Sequence, residues 1–81
     1  MFLMDGYLFI NCISGRVWEI ADEVKTIKCV KMAHVVTGNF DVVAYAEFVN
    51  MDDLARIIEE VQSLKGVQKT QTAVAIPQRP K

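Results

Sequence analysis

An internal echo constrains this chain more than any other feature. Val24-Lys25-Thr26-Ile27-Lys28-Cys29-Val30-Lys31 and Val61-Gln62-Ser63-Leu64-Lys65-Gly66-Val67-Gln68 carry apolar residues at matching positions. Each block closes a helical stretch, turns, and opens a strand. Cys29 stands where Gly66 stands, and a glycine just past a helix is the usual C-terminal cap. The spacing therefore gives Cys29 a capping place and no chemistry. Two αβ joints of this kind in 81 residues describe a β-α-β unit followed by a second one.

The rest of the chain fits that frame. Tyr7 to Ile13 is a nearly continuous apolar run, as in a strand covered on both faces. Ser14 is placed to cap a helix over 15–27, in which Val17, Ile20, Ala21, Val24 and Ile27 share one face. Trp18 falls at the border of that stripe and is expected to pack on the rim of the sheet. Val30–Val36 and Val42–Val49 are strands of a hairpin around Thr37-Gly38-Asn39-Phe40-Asp41, because Gly and Asn tolerate the backbone conformations of a tight turn. Asn50 is the expected cap of a second helix over 51–65, with Leu54, Ile57, Ile58, Val61 and Leu64 on one side. Gly66 stops that helix, and Val67–Ile76 forms the last strand.

The fold class that follows is α+β: a ferredoxin-like βαββαβ arrangement with a four-stranded antiparallel sheet. Right-handed crossovers place both helices on one face of that sheet. The second face is then left open, although the first and third strands carry large apolar groups on both sides: Tyr7 and Phe9 against Leu8 and Ile10, and Val43, Tyr45 and Val49 against Val42 and Phe48. A domain this small is marginal without added support, and a patch of that size is more than monomers tolerate. The open face is expected to pack on another sheet, as in a dimeric α+β barrel. The chain reads as a single domain over 1–81, with its core over about 6–76 and a loose tail at 77–81.

Composition excludes several classes. Nine Lys and Arg against ten Asp and Glu leave a net charge of −1, so no basic excess exists to neutralise nucleic-acid phosphates. Cys12, Cys29 and His34 are too few and too scattered for a zinc site, and no cofactor motif is present. The two cysteines fit free thiols in a cytoplasmic protein. Met1-Phe2-Leu3-Met4 lacks the pattern of a signal peptide, and no apolar run is long enough to span a membrane.

Thr37-Gly38-Asn39-Phe40-Asp41 carries the chemistry. Backbone N–H groups of a tight turn can hold a carboxylate, and the adjacent Asp41 can accept from an ammonium. A free amino acid bears both groups. The same residues also suit a plain hairpin turn, with Asp41 as a local hydrogen-bond acceptor at the surface and of modest weight in folding.

Val36-Thr37-Gly38-Asn39-Phe40-Asp41 is similar to the V-T-G-x-x-D of the effector-binding domain of the Lrp/AsnC transcription regulators. Gly66-Val67 followed by Thr70-Gln71-Thr72 is similar to that family's G-V-x-x-T-x-T. Ser14-Gly15 resembles its P-G after the first strand, with Ser in place of Pro. The resemblance runs from about Gly6 to Ile76. It implies a small-molecule effector, commonly an amino acid, held near Thr37, Gly38, Asn39, Phe40 and Asp41, with Thr70 and Thr72 contributing from the last strand. It also implies dimers that assemble into octameric or similar rings. Full members carry a helix-turn-helix domain first; here about five residues precede the first strand. The chain thus resembles a stand-alone sensing domain, without DNA binding of its own, that reaches transcription through a full-length Lrp/AsnC partner. Two rival readings are a small barrel enzyme using His34 as a base with Tyr45, and an assembly module without ligand.

Overall fold

The computed structural model describes residues 3–77. Residues 1–2 and 78–81, which include most of the expected tail, lie outside the described residues. The elements run in the order β1 (Met4–Cys12), α1 (Val17–Lys25), β2 (Val30–Val35), β3 (Val42–Phe48), α2 (Met51–Gln62) and β4 (Val67–Val74). The sheet order is β2-β3-β1-β4, and all three pairings are antiparallel. This is the expected ferredoxin-like βαββαβ architecture.

The register decides which apolar set the helices cover. Leu8, Ile10, Val42, Ala44, Ala46 and Phe48 are fully buried beneath Ile20, Val24, Ile57 and Val61. Truncating a side chain such as Phe48 to Ala in a core of this kind costs about 3–5 kcal/mol. The alternate positions Tyr7, Phe9, Val43 and Tyr45 face the other way. They lie on the open side of the sheet with Asp5, Asn11, Met32, His34 and Glu47. One face is therefore a packed core and the other is apolar but uncovered in the single chain. Among the described residues, no helix is long and apolar enough to cross a membrane.

Three local expectations need correction. Ser14 does not cap α1: the cap position is Arg16, without a side-chain cap bond. Ser14 and Gly15 instead form a turn closed by the Arg16 N–H donating to the Ile13 carbonyl at 3.3 Å. The Arg16 side chain then donates to the Lys65 carbonyl at 3.1 Å and to Glu19 at 2.6 Å, tying the start of α1 to the turn after α2. Trp18 does not pack on the sheet rim; it is 72% exposed on the outer side of α1. Both helices also end earlier than the apolar stripe suggests, at Lys25 and Gln62, because Ile27 and Leu64 reach the core from the turns that follow. The Asn50 cap is as expected, with its Oδ1 accepting from the Asp53 N–H at 2.9 Å.

Candidate functional site

The turn between β2 and β3 is held on three sides. The Val36 N–H donates to the Asp41 carbonyl at 2.9 Å, closing the turn. The Asp41 N–H donates to the Ile10 carbonyl at 2.9 Å, which docks the turn against β1. Asn11 donates through Nδ2 to the Asn39 carbonyl at 2.8 Å, and the Phe40 ring meets the Phe9 ring at 5.1 Å between centroids. Asn11 and Phe9 are both on the open face, so the turn leans over the uncovered side of the sheet.

Gly38 has φ +104, a conformation that side chains rarely adopt, yet a Cβ there would meet nothing within 4 Å. Backbone conformation, not crowding, is what demands glycine at this position. Thr37, Gly38 and Asn39 are exposed, and Phe40 and Asp41 are half-buried. The N–H groups of residues 37–40 have no partner among the described residues. The turn thus presents a short run of free donors beside a carboxylate.

That carboxylate is not idle. Asp41 Oδ2 accepts from the Cys12 backbone N–H at 2.9 Å, across the end of β1 where the pairing with β4 shifts register. Asp41 is therefore a bracing group for β1, with more weight in folding than a surface turn acid. Beside it, burial pushes the Cys12 thiol above its ordinary pKa; the Asp41 charge adds to this and the Arg16 charge opposes it. Cys12 and Cys29 are both free thiols.

Thr70 and Thr72 stand apart from the turn within one chain. They pair with Ile10 and Leu8 across β1, on the helix-covered side of the sheet. Thr70 Oγ1 accepts from Gln62 Nε2 at 3.0 Å, at the end of α2. A cavity of about 210 Å³ lies there, lined by Gln62, Val67, Gln68, Lys69 and Thr70. The seven candidate residues therefore form two groups, the turn at 37–41 and the β4 pair, with β1 between them. Sequence reasoning missed Asn11 and Gln62. Asn11 carried a signal, since it is the one polar residue between Tyr7 and Ile13.

The residues of the enzyme reading do not form a catalytic pair. His34 is exposed on β2 opposite Val43. The Tyr45 hydroxyl is bound instead to Asp5 Oδ1 at 2.9 Å and Glu47 Oε2 at 3.0 Å. Hydrogen bonding to Asp5 first, then burial and Glu47, raises the Tyr45 pKa. A phenol held this way keeps its proton and is a poor base. Among the described residues no group of His, Cys, Asp and Glu is arranged to hold a metal ion.

The Lrp/AsnC ligand binding domain matches residues 6–80, nearly the whole length of the chain and both candidate groups. The chain belongs to this family. An uncharacterized HTH-type transcriptional regulator of Pyrococcus abyssi is 34% identical over 67 residues, which cover 83% of this chain and 46% of that protein. This Lrp/AsnC chain thus spans just under half the length of the curated relatives it matches. Among solved structures, a Thermus thermophilus protein, TTHA0845, shares the fold with a TM-score of 0.89 and 24% identity, covering 96% of this chain and 99% of that one. A transcriptional regulator of Neisseria meningitidis, solved in complex with L-Met, shares it with a TM-score of 0.81 and 18% identity, covering 96% of this chain and 53% of that one.

Proposed function

We propose that this Lrp/AsnC ligand-binding domain is an amino-acid sensor that acts by assembly and has no catalytic activity. The observation that carries the reading is the glycine turn, with its unpartnered N–H groups at 37–40 beside the Asp41 carboxylate. The α-carboxylate of an amino acid meets those donors, and its ammonium meets Asp41. Thr37, Gly38, Asn39, Phe40 and Asp41 line one side of the site, and Thr70 and Thr72 belong to the other. The L-Met bound to the Neisseria meningitidis relative supports an amino acid as the effector class.

The open sheet face, with Tyr7, Phe9, Val43 and Tyr45, is the surface for a homodimer, and dimers build a larger ring such as an octamer. The domain works as a single unit over 1–81 in the cytoplasm. It reaches DNA through a full-length Lrp/AsnC regulator that joins the assembly, since a net charge of −1 gives no duplex affinity of its own.

A thermal-shift screen with the proteinogenic amino acids tests the reading. An effector at a hundred times its dissociation constant stabilises the folded state by about 2.7 kcal/mol, a shift of several degrees for so small a domain. No shift with any of them at millimolar concentration favours the assembly module without ligand.

A further inference from the structure

The open face of the sheet is polarised along its strands. On β1, Asp5 stands at one end of that face and Asn11 at the other. Glu47 lies opposite Asp5, and Lys69 lies opposite Asn11. One end is therefore acidic and the other carries a cation, with Tyr7, Phe9, Val43 and Tyr45 between them.

The acidic end is incomplete in a single chain. The Tyr45 hydroxyl lies 2.9 Å from Asp5 Oδ1 and 3.0 Å from Glu47 Oε2, yet a phenol has one proton to donate and satisfies one carboxylate at a time. Among the described residues no lysine or arginine forms an ion pair with Asp5 or Glu47, and Lys69 has no carboxylate partner either.

Two such sheets stacked face to face about a two-fold axis meet in one of two ways. An axis along the strands lays each end of the face on the same end of the partner. Asp5 then meets the partner's Glu47, and the acidic ends of both chains crowd together. The two glycine turns also come to one end, where each leans over Phe9 and Asn11. An axis across the strands lays β1 antiparallel on the partner's β1, centred between Tyr7 and Phe9. The acidic end then meets the cationic end, and each turn overhangs the end of the partner that carries no turn. With sheets about 10 Å apart and neighbouring strands about 4.8 Å apart, the Cα atoms of Asp5 and the partner's Lys69 lie about 11 Å apart, within the combined reach of the two side chains.

We infer that the partner's Lys69 completes the Asp5–Tyr45–Glu47 cluster across a two-fold axis that runs over the strands, the partner being a second copy of this chain. The contact fixes the orientation of the pair and selects its partner, since a chain of the same fold without an acid and a cation at these two places leaves charges unmatched. The inference rests on the face-to-face dimer proposed above and is independent of any effector.

Sedimentation equilibrium of the full chain tests it with two charge reversals. Lys69→Glu should weaken the dimer about tenfold or more, because it sets a carboxylate against the partner's Asp5. Asp5→Lys should weaken it similarly by setting an ammonium against the partner's Lys69. Mixed in equal amounts, the two variants should pair with each other about as tightly as the wild type pairs with itself, since every contact is again between opposite charges. Asp5→Asn, which keeps an acceptor for the Tyr45 hydroxyl, replaces Asp5→Lys if that variant does not fold; it should pair with Lys69→Glu more tightly than Lys69→Glu pairs with itself. A stronger dimer in Asp5→Lys means that residue 5 meets the partner's Glu47, which overturns the inference, as does a Lys69→Glu dimer of wild-type strength. Either result leaves the face-to-face dimer standing. A wild-type chain that stays monomeric up to millimolar concentration removes that dimer and this inference with it.

Discussion

Cys29 has φ +80 and Gly66 has φ +97, each four residues past the last residue of a helix and just before the strand that follows. The bonds around them repeat as well. Thr26 and Ser63 hydroxyls donate to the Glu23 and Glu60 carbonyls at 2.7 Å, and Val30 and Val67 N–H groups donate to Ile27 and Leu64 at 3.1 and 3.2 Å. One joint carries the residue suited to its backbone and the other does not. A non-glycine residue in this region costs about 1–2 kcal/mol, partly offset by the about 0.4–1 kcal/mol of unfolded-chain freedom that glycine adds.

Cys29→Gly should therefore stabilise the domain by about 0.5–1 kcal/mol in denaturant unfolding. Gly66→Ala should do the opposite and by more, because its Cβ would also come within 3.2–3.3 Å of Ile13 Cγ1, Arg16 Nε and Ile20 Cδ1. Destabilisation by Cys29→Gly would mean that the thiol contact with Arg56 at 3.8 Å outweighs the backbone strain.

Asp41 has a folding role that can be separated from binding. Asp41→Ala leaves the Cys12 N–H without its acceptor and should cost about 1–3 kcal/mol; Asp41→Asn keeps an acceptor and should cost about 1 kcal/mol or less. Hydrogen exchange at the Cys12 amide should quicken in the first variant and much less in the second. Unchanged exchange in Asp41→Ala would remove the brace.

Most of the architecture was legible in the sequence because its signals are local. Apolar spacing marked both helices, the echo marked both joints, and Asn50 marked a cap. What the sequence hid was three-dimensional. Ser14 has the chemistry of a cap, but the Arg16 N–H closes a turn onto the Ile13 carbonyl and the helix starts beyond it. Trp18 is apolar by composition and exposed by phase. Asp41 sits next to the turn in sequence, while its acceptor bond reaches Cys12, 29 residues away. Thr70 and Thr72 belong with the turn by motif, yet β1 separates them in one chain.

Alkaline pH should weaken the fold. Cys12 and Tyr45 both have folded-state pKa values raised above their ordinary 9.0 and 10.0. The native state keeps these protons where the unfolded chain has lost them. Their contribution is fully present below about pH 9 and declines as pH rises through the raised values. An ultraviolet titration should show a tyrosine step displaced above the ordinary phenol range, and Tyr45→Phe should delete that step. The absence of a displaced step would mean that the Asp5 and Glu47 contacts do not hold in solution.

The single Trp18 reports which layer assembles. Packing through the open sheet face leaves α1 on the outside, so Trp18 should stay accessible to iodide in the dimer. Phe9→Glu, on the open face, should give a folded monomer by sedimentation. Protection of Trp18 on dimer formation, together with a still-dimeric Phe9→Glu, would place the contact on the helices.

Calorimetric titration of wild type and Asp41→Asn, at a temperature where both are fully folded, tests the sensing account most directly. The ligand is the amino acid that gives the largest thermal shift. Loss of a charge-assisted hydrogen bond worth about 1.5–3 kcal/mol should weaken Asp41→Asn about ten- to a hundredfold. Equal affinities would take Asp41 out of the site, and no heat from any amino acid at millimolar concentration would contradict the sensing function itself.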